Sequence, residues 1–195
     1  MDCLPLNLDD RACRPALNKL SRLFGQMDAA YKEMADIHGF NCDGCRDNCC
    51  QTRFHHHTLL EYGYIRKGLR SQAGEDRKMI HHLARQVEAA GPEERLMCPL
   101  NLAGRCRLYR FRPMICRLHG IAHEFIGPDQ SVRKGPGCDE YTHCTGNHPD
   151  AHLNRTPFYR KMALLEKELR QRIGFNGRVH MTIAQMVLYA ESETF

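Results

Sequence analysis

The sequence predicts a mainly α-helical domain that carries one short cysteine-bearing β-hairpin or extended segment. Three observations predict it. Apolar residues return every three or four positions in several separate stretches, the spacing of helices with one buried face. Extended-looking sequence is confined to a stretch between positions 97 and 111. Of 195 residues, 42% are hydrophobic, enough for one sizeable core, and the chain is too short for two large domains. On this reading an N-terminal helix over 1–41 leads into a cysteine-rich part over 42–150, and C-terminal helices over 151–195 pack on it within one compact domain.

The first helix follows from Leu17, Leu20, Phe24, Met27, Tyr31 and Met34, which step by three and four alternately behind Pro15. The same stripe would serve as a coiled-coil seam or as a face packed on its own domain. His38-Gly39-Phe40-Asn41 ends it. Thr58-Leu59-Leu60-Glu61 is a capping box, with Thr58 accepting from the third backbone N–H and Glu61 reaching back, so a helix runs on to about Ser71. A further helix from Glu75 to Ala90 places Met79, Ile80, Leu83 and Val87 on one face and stops at Gly91-Pro92. Residues 98–109 form two short extended pieces around a glycine turn, and Arg112-Pro113 opens a short helix holding Cys116. Between Gly127 and Pro149 four glycines and three prolines fall in 23 residues, which predicts loop. Thr156-Pro157 opens a helix with Phe158, Met162, Leu165 and Leu169 inward and Glu166 and Arg170 paired outside; Gly174 ends it. Thr182 with Gln185 caps the last helix, which carries Ile183, Met186 and Val187.

Charge and patterning exclude several functions. The net charge is +5, and its lysines and arginines are scattered among acids with no block dense enough for nucleic acid. There is no Trp and no aromatic-basic interleaving of the kind that stacks bases. No apolar run approaches the ~20 residues that span a membrane. The opening residues have no basic stretch ahead of an apolar one, so a secretory leader is not expected and the cytoplasm is the expected location. No P-loop, G-x-S-x-G or G-x-G-x-x-G is present, and the sequence therefore names no enzyme class.

Eleven cysteines in a reducing compartment point to metal rather than disulfides. They gather in two groups, Cys42, Cys45, Cys49 and Cys50, then Cys98, Cys106 and Cys116. Cys42-Asp43-Gly44-Cys45 has the form of a metal knuckle, in which a glycine-containing spacer turns backbone N–H groups toward sulfur. A redox dithiol of the thioredoxin type is the alternative, but it expects a strand before it, and here a helix precedes. Adjacent Cys49 and Cys50 would point to opposite faces of an extended chain, so they serve different sites, serve a cluster, or include one cysteine that merely packs. Seven cysteines exceed the four of a single Cys₄ site, and Cys138, on a Pro-Gly loop, makes eight. Cys144 is a spare thiol or part of a second site, and Cys3 and Cys13 are expected free. His55-His56-His57 is expected to be a solvated turn, with His57 the one able to contribute a ligand; His81 and His82 are expected on a surface. Arg112 and Arg117 flank Cys116, where positive charge lowers thiol pKa values; the alternative for Arg112 is to brace the fold by pairing with a carboxylate.

Cys106-Arg107-Leu108-Tyr109-Arg110-Phe111-Arg112-Pro113-Met114-Ile115-Cys116-Arg117, taken with the Cys42–Cys50 group, resembles the YkgJ-type cysteine-cluster proteins, known as zinc- or iron-chelating domains. The shared pattern is C-x-x-C before a Cys pair, then C-P-x-L with Gly ahead of the next Cys, an aromatic residue and R-P-x-x-C-R. It spans Cys42 to Arg117. The family pattern has two residues before the Cys pair where this chain has Arg46, Asp47 and Asn48. The resemblance implies metal binding by Cys42, Cys45, Cys49, Cys50, Cys98, Cys106 and Cys116, with zinc and an iron–sulfur cluster both open. It also admits a modification enzyme, because a flagellin lysine methylase shares the motif. Neither ferredoxin spacing is present. Thiolates drawn from two distant segments, with no His at knuckle spacing, favour an iron–sulfur cluster, the four-iron form first, over Cys₄ zinc. The functional expectation is a redox, assembly or protein-modification role. The alternative is a zinc-stabilised, non-enzymatic module whose long helices bind a partner protein.

Overall fold

A computed structural model describes residues 10–42, 49–91, 94–146 and 151–192. It is mainly helical, with seven α-helices and five short strands among those residues. None of the described helices is long and apolar enough to cross a membrane. The chain divides into two compact units, one built from 1–18, 49–113 and 166–195 and the other from 19–48 and 114–165.

In the first unit, α2 (Leu59–Arg70), α3 (Gly74–Ala89) and α7 (Ile183–Ser192) pack together. Tyr62, Ile65 and Leu69 of α2, Ile80, Ala84 and Val87 of α3, and Ala184, Met186, Val187 and Ala190 of α7 form its apolar core with Leu100 and Leu108. The helix ends are built by specific partners. Thr58 accepts from the Glu61 N–H at 3.1 Å, and its hydroxyl donates to the Glu61 carboxylate at 2.8 Å. Thr182 and Gln185 form the expected reciprocal cap, at 3.0 and 3.2 Å, and both also donate to Glu88 of α3. Arg53 donates to the Val87 and Ala90 carbonyls at the end of α3, a cation where the helix dipole favours one. The expected hairpin is present: β1 (Asn101–Leu102) pairs antiparallel with β2 (Arg105–Cys106). Its two-residue turn has Ala103 at φ 52° and Gly104 at φ 79°, the left-handed pair that matches strand twist in a tight hairpin.

The second unit contains most of α1 (Asp10–Ile37), the helix α4 (Met114–Leu118) and α5 (Asp139–Thr145), and the opening turns of α6 (Thr156–Ile173). A three-stranded sheet has β3 (His123–Ile126) in the middle, antiparallel to β4 (Val132–Gly135) and parallel to β5 (Leu153–Asn154). Leu20, Phe24 and Met27 of α1 are fully buried. The stripe is thus a core face covered by its own chain, the second of the two uses its spacing allowed.

Several expectations are corrected. α1 begins at Asp10 and carries Pro15 inside it; a proline so near the start forfeits a single backbone bond in the opening turns. The stretch from 127 to 149 is not all loop, since β4 and α5 lie in it. Met79 is exposed, and His81 is buried instead of lying on the surface. Glu166 is buried too, not outside, because its carboxylate accepts from the Leu59 and Leu60 N–H groups at 2.9 and 3.1 Å and so caps α2. It still holds Arg170, at 2.6 Å.

Candidate cysteine centre

Four of the cysteines marked out in the sequence lie in the first unit on three short segments. Cys49 and Cys50 open a single 3₁₀ turn, Cys49–Gln51. This departs from the extended chain assumed in the sequence. In a 3₁₀ turn successive side chains diverge by about 120° rather than 180°, and the two thiols hydrogen-bond to each other. Cys98 is tied to the same turn by its own N–H, which donates to the Cys50 carbonyl at 2.7 Å. Its carbonyl in turn accepts from the Asn101 N–H at 2.9 Å, which sets the start of the hairpin. Register then places Cys106 opposite Asn101. Cys98 and Cys106 pack half-buried against the apolar core.

The surroundings make one of these thiols acidic. The Cys50 pKa falls from 9.0 to about 6 because Cys49 donates to its sulfur, helped by the Asn101 side-chain amide and the Arg112 guanidinium, and opposed by burial. Cys106 moves the other way. Burial raises its pKa, and the nearby Cys50 charge adds to that, while the Leu108 N–H and Arg112 partly offset both. Arg112 therefore acts on the thiols, one of the two roles open to it in the sequence. Its guanidinium also lies 3.7 Å from the Tyr109 ring centre. Arg117, in the second unit, reads in the sequence only as acting on thiols; it is buried, pairs with Asp28 at 2.5 Å and lies 4.3 Å from the Phe24 ring centre.

The other cysteines are placed differently. Cys45 and Cys3 fall outside the described residues. Cys42 is exposed, Cys116 is half-buried on α4, and Cys144 is exposed on α5, all in the second unit. Cys138 is the N-cap of α5, its sulfur accepting from the Tyr141 N–H at 3.5 Å and its own N–H donating to the Gly120 carbonyl at 3.0 Å. Cys13 is fully buried on α1. Among the described residues, no group of three or more His, Cys, Asp or Glu side chains is gathered around one point as a metal shell. The donor chemistry about Cys50 nonetheless suits a soft metal, with a ready thiolate, further thiols and N–H donors to sulfur.

Two participants escaped sequence reasoning. In the sequence Asn101 reads only as a hairpin residue, although a hairpin centred on Ala103-Gly104 puts it opposite Cys106. His180 was not singled out at all, yet it stacks on His55 at 4.1 Å between ring centres and lies 5.1 Å from His57. The expected solvated histidine turn is half right: His55 and His57 are exposed, and His56 is buried. Comparison with family models, with curated proteins and with solved structures found no match.

Proposed function

We propose that this chain is a metal-binding cysteine-cluster protein of the kind its motif resembles. It carries an iron–sulfur cluster on Cys49, Cys50, Cys98 and Cys106, in a redox, assembly or protein-modification role. The observation that carries this reading is the set of interactions centred on Cys50, which joins the Cys49–Gln51 turn to Cys98 by a backbone hydrogen bond of 2.7 Å and couples it electrostatically to Cys106. When bound, a cluster supplies a one-electron carrier whose potential is set by hydrogen bonding to sulfur and by burial. The chain's own contribution is to keep Cys50 deprotonated at neutral pH, to donate from Asn101 and Leu108 to two of the sulfurs, and to offset negative charge with Arg112.

A second reading is favoured by the packing of Cys98 and Cys106 on the helical core. There a redox-inert zinc ion would tie the turn to the hairpin as a structural clip, and the protein would serve as an interaction module. One experiment separates the two. The protein is purified without air, and iron, acid-labile sulfide and zinc are quantified against protein beside a visible spectrum. Matching iron and sulfide with visible absorption, both lost in Cys50→Ser and Cys106→Ser, is the result expected of the cluster. Colourless protein holding zinc selects the clip, and protein holding neither metal overturns both.

A further inference from the structure

His56 and Met181 form an antiparallel bridge in which each N–H donates to the other's carbonyl, at 2.8 and 3.0 Å. In such a ladder the next pair, His57 opposite His180, is a non-hydrogen-bonded pair, with Cα atoms ~4.5 Å apart and side chains on one face. Alternation along an extended strand puts His55 on the same face and sends His56 to the other. The rings follow this pattern. His57 and His180 are tilted by 43° with centres 5.1 Å apart, and His55 lies flat on His180 at 9°. All three are exposed. His56 is buried on the far side, its Nδ1 3.7 Å from Glu61 Oε1.

An ion bound at ~2.0–2.1 Å by one nitrogen from each of two imidazoles holds the ring centres about 5 Å apart. That is the separation found between His57 and His180. His55 cannot join them as a third ligand while stacked, since its nitrogens lie in a plane parallel to the His180 ring; it orients that ring instead. We propose that His57 and His180 chelate a divalent transition-metal ion of the nickel, copper or zinc class, water filling the remaining positions. The site uses none of the cysteines and does not depend on what they bind.

The test is a titration of the full, reduced chain with Ni²⁺, followed by heat and by near-ultraviolet absorption, which reports thiolate bonded to metal. The expected result is a step of one equivalent taken up without a thiolate band, separate from any uptake at the cysteines, which carries that band. His57→Ala and His180→Ala should each weaken that step ~10-fold or more. Exposed His82, on α3, provides the control, and His82→Ala should leave the step unchanged, as should Cys50→Ser. Binding unaltered in both His57→Ala and His180→Ala overturns the proposal, and so does uptake that always carries the thiolate band and vanishes in Cys50→Ser.

Discussion

At Cys50 three neighbours change what a thiol does. Cys49 donates to its sulfur, Asn101 adds a second donor and Arg112 a positive charge, and together they outweigh burial to bring the pKa to about 6. The rate of Cys50 alkylation by iodoacetamide should therefore rise with pH through a midpoint near about 6. Asn101→Ala and Arg112→Leu should both move the midpoint up toward the ordinary thiol range of ~8.5. A wild-type midpoint already in that range would remove the basis for a thiolate there. The linked effect on stability has a definite sign. The folded pKa lies below the unfolded value of 9.0, so the contribution is complete above 9 and fades as pH falls through about 6. The difference in urea midpoint between wild type and Cys50→Ser should shrink over that interval. Which of the paired cysteines would be activated was not legible in the sequence, because assigning side-chain directions to Cys49 and Cys50 requires knowing whether the chain is extended or turned. Spacing marks the cysteines out in the sequence but not which of them share a unit: Cys49, Cys50, Cys98 and Cys106 fall in the first, and Cys42, Cys116 and Cys138 in the second. The role of Asn101 emerges only from strand register.

Among the elements, α2 shows a cap supplied from far along the chain. Thr58 meets one N–H of its first turn, as the local motif predicts, and the Leu59 and Leu60 N–H groups are met by Glu166, 107 and 106 positions away. Charge at this end is favourable twice, through hydrogen bonding and through the helix dipole. Arg170 steadies the carboxylate at 2.6 Å and reaches the Gly177 carbonyl at 2.6 Å. Losing Thr58 to Ala should cost about 1 kcal/mol. Glu166→Ala should cost about 3 kcal/mol, since it strips two buried donors and leaves Arg170 without its partner. Equal losses in urea denaturation would mean that the long-range cap contributes no more than the local one. The capping boxes, helices and hairpin were legible because their signals lie within a few residues of one another. Glu166 was misplaced because i,i+4 spacing to Arg170 describes a surface pair and a buried cap equally well. The sheet was missed for a related reason: β5 is two residues long and joins β3 across about 30 residues, too short for alternation to register.

On the scale of the whole molecule, the first unit is closed by its last stretch of sequence. Ala184, Met186, Val187 and Ala190 of α7 complete the core begun by α2 and α3, and the His56–Met181 bridge fastens the approach to α7 beside the approach to α2. The four cysteines proposed to bind metal sit on segments anchored to that same core, two of them packed directly against it. Bringing them together therefore requires the helices to be in place, and a bound metal would in turn restrain the short segments that carry them. Binding that favours the folded chain adds to its stability by mass action, about 2.7 kcal/mol when free metal is one hundred times its dissociation constant. Metal content and melting temperature should accordingly fall together in Cys106→Ser. Cys144→Ser, at an exposed position on α5, should lower neither. The same coupling predicts that a chelator added to the wild type reduces its melting temperature toward that of Cys106→Ser, and adds little to the loss already present in that variant. A variant that melts lower while retaining its full metal content would assign Cys106 to packing alone, the role its half-buried position against the apolar core would otherwise suggest.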